Sequence, residues 1–263
     1  MTLKAVLFDL DDTLLWDERS VQEAFEATCA EAAKHVNVNP AELEVSVRQE
    51  ARALYESFET FPFTKLIGIN PFEGLWGNFT EGKQEEFRLM EKLVPGYRTE
   101  SWTRGLAALG IDNRELGQKL GEMFPAERRR RPFVYEETFR VLDALKGQYQ
   151  LLLLTNGSPD LQQEKLAGVP ELKAYFDHII ISGNFGIGKP DPSIFEHAME
   201  LLGIEAQEGI MIGDKLTTDI LGSSRVGMRN IWINHHGLPQ GDDHKPVYEV
   251  KRLQDILPII ADC

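Results

Sequence analysis

Residues 4–15 read KAVLFDLDDTLL: four consecutive apolar side chains, Ala5, Val6, Leu7 and Phe8, followed by three carboxylates and a hydroxyl within five positions. An unbroken apolar run flanked by polar residues is the pattern of a parallel strand covered on both faces. Similar short runs recur at residues 150–155, 178–182, 209–213 and 229–234. Between them the period lengthens to that of a helix: Phe139, Leu142 and Leu145 share one face and stop at Gly147, and Asp191-Pro192 opens a helix that runs through Leu202 to Gly203. Strands alternating with helices in this way predict an α/β fold with a Rossmann-like, doubly wound parallel sheet as its core.

Residues 17–131 break the alternation. Ser20 with Glu23 reads as a capping box, and Asn39-Pro40 as an N-cap with proline at the first helical position. Leu43, Val47, Ala51, Leu54 and Phe58 then recur at helical spacing, as do Trp102, Leu106 and Leu109, and Leu116, Leu120 and Phe124. Residues 61–79, FPFTKLIGINPFEGLWGNF, are dense in aromatics, glycine and proline and read as loops among these helices. The expected organisation is a core made of residues 1–16 and 132–263, interrupted by a helical domain at 17–131.

Charge narrows the partners. Acids outnumber Lys plus Arg by 42 to 28, a formal charge of -14, which opposes unassisted binding to nucleic acid or to an anionic membrane. An anionic small molecule would need local positive charge or a metal. The two cysteines, Cys29 and Cys263, lack metal-ligand spacing and are too few for a disulfide framework. With the first strand starting near Met1 and no apolar run of membrane-spanning length, a cytoplasmic protein is expected.

The polar residues fall where open parallel sheets bind ligands, at the carboxyl ends of strands. Asp9, Asp11, Asp12 and Thr13 follow the first strand, Thr155-Asn156-Gly157 closes the second, Lys189 follows the third in GIGKPDP, and Asp214 closes the fourth, with Asp219 five residues on. Each alone has an ordinary explanation. Asp11 or Asp12 could cap a helix, Thr155-Asn156-Gly157 could be a turn, Lys189 a surface lysine, and Asp191-Pro192 only a cap. Their joint arrival at one rim points to a site, because clustered carboxylates need a cation or a lysine to stay ionised.

The four segments Asp9-Leu10-Asp11-Asp12-Thr13, Thr155-Asn156, Lys189-Pro190 and Gly213-Asp214 with Asp219 resemble, in order, the signatures of the haloacid dehalogenase (HAD) superfamily. The likeness is to its phosphatase branch with a helical cap inserted after the first strand (C1 cap). The resemblance implies that Asp9 is a nucleophile that takes up phosphorus and that Asp11 is the general acid and then the base. It implies that Thr155, Asn156 and Lys189 bind the phosphate, and that Asp9, Asp214 and the main-chain carbonyl of Asp11 hold a Mg²⁺ ion. Asp219 and Thr13 would support them from behind. The expected substrate is a small phosphorylated metabolite of the phosphoserine, nucleotide or sugar phosphate class, handled by a monomer or small homo-oligomer.

Asp11 argues against carbon–halogen chemistry, which needs no acid two residues past the nucleophile. Phosphonate cleavage would want an imine-forming lysine, for which Lys65 and Lys83 are available but unmarked. A phosphosugar mutase and a silent phosphate-sensing protein of the same fold remain as alternatives. Substrate choice is expected from residues 61–79 or from Trp16, Asp17 and Arg19. The arginines at 128–131 read as a solvated helix end, and His235-His236 as a surface loop.

Overall fold

The five apolar runs form strands in the computed structural model, which describes residues 2–239 and 245–263: β1 (Ala5–Phe8), β2 (Gln150–Thr155), β3 (His178–Ile181), β4 (Gly209–Gly213) and β5 (Arg229–Ile233). A sixth, β6 (Tyr248–Val250), adds an edge. It has only three residues, two of them exposed, so no apolar run marked it. All neighbours pair in parallel, in the order β3-β2-β1-β4-β5-β6. This is the strand order of a doubly wound Rossmann-like sheet.

The chain divides into two units. The sheet unit contains the described residues of Met1–Asp17, Phe133–Gly157 and Val169–Cys263. In it β1 and β4 are buried along their whole length, as a central strand covered on both faces requires. Ala5, Leu7, Leu152, Leu154 and Met211 pack against Ile194, Phe195, Ala198 and Leu202 of the helix Pro192–Leu202. That helix starts as its sequence predicts: Asp191 Oδ1 accepts a hydrogen bond from Ser193 N at 2.9 Å.

The second unit contains Glu18–Pro132 and Ser158–Gly168. Its long helices are Asp17–Ala32, whose first residue belongs to the sheet unit, Pro40–Glu56, Glu85–Ala108 and Arg114–Arg129. Their shared core is aromatic, with Phe25, Tyr55, Phe87, Tyr97, Trp102 and Phe124 buried, and Leu161 joins it from the helix Pro159–Gly168. Close approach is bought with small residues. A Cβ on Gly105 would lie 2.4 Å from Val47 Cγ2, and one on Gly117 would lie 2.1 Å from Thr103 Oγ1.

Three expectations need correcting in this unit. Ser20 is no cap, because the helix begins at Asp17; its hydroxyl instead donates to Arg131 O and accepts from Arg128. Residues 61–79 are not merely loops. They include the helices Phe61–Ile67 and Pro71–Gly74, the latter started by an Asn70/Glu73 capping box hidden in an aromatic-rich string. The arginines at 128–131 are only partly a solvated helix end: Arg128 is buried over the Trp76 ring at 4.6 Å and Arg131 is half-buried against Glu127, whereas Arg129 and Arg130 are exposed, paired with Glu164 and Glu127. The lysine this unit buries is Lys165, 2.9 Å from Glu73, whereas Lys65 and Lys83 are exposed.

Candidate active site at the strand ends

Parallel register fixes where the polar residues emerge. Phe8, the last residue of β1, lies level with Leu153 on β2 and Ile212 on β4. The Asp9 amide then donates to Ile212 O at 2.9 Å, so Asp9 leaves β1 beside Gly213, with Asp214 next along the neighbouring chain. In this strand order the winding reverses between β1 and β4, which is where such sheets open a crevice for ligands. Thr155, buried, ends β2 level with Ile181.

Lys189 stands at the centre. Its ammonium has three donors, and three oxygens surround it: Asp9 Oδ1 at 2.7 Å, Asp219 Oδ1 at 2.7 Å and Leu154 O at 2.6 Å. Burial opposes its charge, but Asp219 and Asp9 outweigh burial and hold its pKa above the ordinary lysine value. Asn156 fixes the lysine's main chain from both sides, its Oδ1 accepting from Lys189 N at 2.9 Å and its Nδ2 donating to Lys189 O at 2.9 Å. Gly188 permits that clamp, since a Cβ there would sit 2.7 Å from Asn156 Oδ1.

Asp219 is fully buried and reaches the site from a wide helical turn, Leu216–Ile220, in which Ile220 N donates to Lys215 O at 3.3 Å. Its Oδ2 accepts from Lys215 N at 3.1 Å. A Cβ on Gly213 would lie 2.3 Å from the Asp219 carboxyl, so glycine at the end of β4 is what lets the carboxylate in.

Asp9, Asp214 and Asp219 each offer an oxygen within 4.8 Å of the others. Among the described residues Asp214 Oδ1 is buried with no hydrogen-bond partner. Burial raises the Asp214 pKa well above the carboxylate range; Lys215 opposes this, while Asp9, Asp219 and Asp12 add to it. Burial also raises Asp9, with Lys189 pulling the other way. An oxygen-only set with one orphaned carboxylate oxygen suits a hard divalent cation such as magnesium. Because Asp219 is committed to Lys189 and Lys215 N, Asp9 and Asp214 are the carboxylates with capacity left for an ion.

Asp11 begins the turn it closes by bridging to Leu15, and Thr13 is buried inside that turn. Asp12 adopts the left-handed conformation, with φ of 58°. Sequence reasoning missed three neighbours of the site. Lys215 follows Asp214 directly; burial pulls its pKa down, but Asp214, Asp9, Asp11 and Asp219 more than offset this and leave it raised. Trp232 Nε1 donates to Asp214 O at 2.7 Å. His235 is half-buried and not a free surface-loop residue: its Nε2 lies 3.0 Å from Asp12 O and its ring stacks on Tyr135 at 4.4 Å. Adjacency to Asp214 could have flagged Lys215; nothing local could have flagged His235.

A model of haloacid dehalogenase-like hydrolases matches residues 3–227, and the chain belongs to that family. It is therefore a hydrolase, and among curated relatives it stands with phosphatases. It is 32% identical to a phosphoserine phosphatase of Thermus thermophilus over 257 residues, covering 97% of this chain and 98% of that one. It is 31% identical to an N-acylneuraminate-9-phosphatase of Rattus norvegicus, over 68% of this chain and 75% of that protein. Among solved structures, the HAD-hydrolase YfnB of Bacillus subtilis, determined with magnesium bound, shares the fold with a TM-score of 0.69 at 20% identity, over 99% of both chains. Among the described residues no helix is long and apolar enough to cross a membrane.

Proposed function

We propose that the chain is a cytoplasmic, Mg²⁺-dependent phosphomonoesterase that transfers the phosphoryl group of a small metabolite to Asp9 and then to water. The observation that carries this reading is the meeting of Asp9, Lys189, Asp219 and the orphaned Asp214 oxygen at the β1/β4 strand ends. A phosphoryl group placed there meets a carboxylate nucleophile beside a buried ammonium. Such transfer is catalysed mainly by placement and charge compensation.

In the first half-reaction an Asp9 carboxylate oxygen attacks phosphorus while the ester P–O bond breaks, and the Asp11 carboxyl gives its proton to the departing oxygen. In the second, the Asp11 carboxylate takes a proton from water as the water oxygen attacks the aspartyl phosphate. This releases Asp9 and inorganic phosphate. Thr155 donates its hydroxyl hydrogen to a phosphoryl oxygen, and Lys189 offsets negative charge. Asn156, its amide engaged with the Lys189 main chain, contributes by holding that lysine in place. A Mg²⁺ held by the Asp9 and Asp214 carboxylates and the Asp11 main-chain carbonyl would supply positive charge against the phosphoryl oxygens.

The helical unit, assigned as a cap over 17–131, would choose the substrate. The 32% identity to a phosphoserine phosphatase over nearly the whole chain favours compact, polar phosphoesters such as phosphoserine. Asp9→Asn is expected to lower turnover of 4-nitrophenyl phosphate by about 10³-fold or more while leaving the circular dichroism spectrum unchanged. Undiminished turnover would remove Asp9 as nucleophile. A panel of phosphorylated metabolites assayed with Mg²⁺ then ranks the substrates.

A further inference from the structure

The turn that carries Asp11 is held by two segments within the sheet unit. The segment leading to the helix Thr138–Leu145 ties it down: Trp16 N donates to Phe133 O at 3.0 Å, Tyr135 N to Leu14 O at 3.2 Å and Thr138 Oγ1 to Leu14 O at 2.8 Å. The second contact comes from His235, 223 positions from Asp12, which it meets at 3.0 Å. Asp12 has both its main-chain groups engaged, the amide donating to Leu15 O at 2.7 Å and the carbonyl facing His235 Nε2. A non-glycine residue with φ of 58° keeps that conformation only where its surroundings fix it. The Asp12 carbonyl belongs to the peptide joining Asp12 to Thr13, one residue past Asp11, so the contact from His235 restrains the turn from which the Asp11 side chain projects.

The imidazole is itself oriented. Its ring lies 4.4 Å from Tyr135 with planes 14° apart, and Tyr135 stacks in turn on Trp16 at 5.3 Å and 15°. Because its partner is a carbonyl oxygen, Nε2 must carry the proton. That requirement is met by one neutral tautomer and by the charged ring alike, so the contact persists on either side of histidine titration.

We propose that His235 is a positioning residue for the acid–base step: through Asp12 O, and squared up by the Tyr135–Trp16 stack, it aims the Asp11 carboxyl at the departing oxygen. This rests on the reading of Asp11 as general acid. A misaimed acid penalises leaving groups that need a proton and spares those that depart as stable anions. The kcat/KM for phosphoryl transfer, which ends at departure of the leaving group, therefore isolates the effect from the later attack of water.

The test compares phenyl phosphate with 2,4-dinitrophenyl phosphate in wild type, Asp11→Asn, His235→Phe, His235→Ala and His235→Gln. His235→Phe keeps a ring against Tyr135 but removes the N–H, and is expected to lower kcat/KM about tenfold on phenyl phosphate and less than about twofold on the dinitrophenyl ester. His235→Ala should show the same bias and His235→Gln, which restores an N–H donor, should recover part of it. The ratio of the two substrates is unaffected by any inactive fraction, so a poorly folding variant still reports. If Asp11→Asn shows the bias and the His235 variants lower both substrates equally, or neither, the positioning role is overturned while the acid–base reading stands. If Asp11→Asn shows no bias, that reading falls and this inference with it.

Discussion

Lys189 Nζ lies 2.7 Å from Asp9 Oδ1 and 2.7 Å from Asp219 Oδ1, so a single ammonium compensates two carboxylates, one from the end of β1 and one from the helical turn after β4. The pairs are almost sealed from solvent, with side-chain exposures of 2% for the lysine and 10% and 1% for the two acids. Removing the cation would leave two buried carboxylates facing each other. Lys189→Met is expected to cost about 3–5 kcal/mol of stability in chelator, and activity as well. Urea unfolding measures it; a cost below about 1 kcal/mol would mean that the carboxylates escape to water.

Asp214 presents the opposite case, a half-buried carboxylate whose Oδ1 is enclosed without a hydrogen-bond partner. Its pKa, like that of Asp9, is raised on folding, with burial the main cause. Such groups favour the folded state at low pH and lose that contribution as pH rises through the folded-state pKa. The metal-free protein should therefore weaken as pH climbs above the ordinary carboxylate value of 3.8. Asp214→Asn should flatten that decline and, in chelator at neutral pH, gain about 1–3 kcal/mol over wild type. Calorimetry should also show that Mg²⁺ raises the Tm of wild type but not of the variant; an equal rise in both would place the ion elsewhere.

Gly213 is the narrow point of the site. With a methyl group there only 2.3 Å from the Asp219 carboxyl, Gly213→Ala must displace either the carboxylate or the end of β4. Overpacking of this kind costs about 1–3 kcal/mol, and a shift of about 1 Å at Lys189 can lower kcat by about 10²-fold. Steady-state kinetics beside thermal unfolding decide it, and near-wild-type kcat would show that the Asp219–Lys189 contact is dispensable for turnover.

The two thiols should differ sharply. Cys29 is fully buried in the aromatic core of the helical unit, and burial pushes its pKa up to about 12, with Glu44 adding to the rise, whereas Cys263 is half-buried at the chain end. Because the thiolate is the reactive form, a disulfide reagent at pH 8 should titrate one thiol per native chain and two after denaturation. Rapid reaction of both would show that the helical core opens readily.

Five of the six strands were legible because they are short, mainly apolar runs, and parallel pairing then delivered Asp9, Thr155 and Asp214 to one edge. The resemblance pointed Lys189 toward Asp9 and Asp219 toward Lys189, but how the chain brings them together depends on the clamp from Asn156 and on the space at Gly213. His235 was out of reach because its partner, Asp12, is distant in sequence and presents a carbonyl that every residue possesses. Within the helical unit, the start at Asp17 was misread because Ser20 and Glu23 satisfy a capping pattern while serving Arg128, Arg131 and Arg19. In the arginine run Arg128 was misread, because its burial over the Trp76 ring cannot be inferred from spacing alone.

Leu161, on the helix Pro159–Gly168, belongs to the aromatic core of the helical unit although β2 immediately precedes it in the sequence. That unit is consequently not a cassette inserted at one place. A chimera exchanging only residues 18–132 with a relative would leave the recipient's second segment, Ser158–Gly168, facing foreign side chains. Grafts that preserve folding must transfer both stretches together, and recombination breakpoints tolerated by this lineage should avoid separating them.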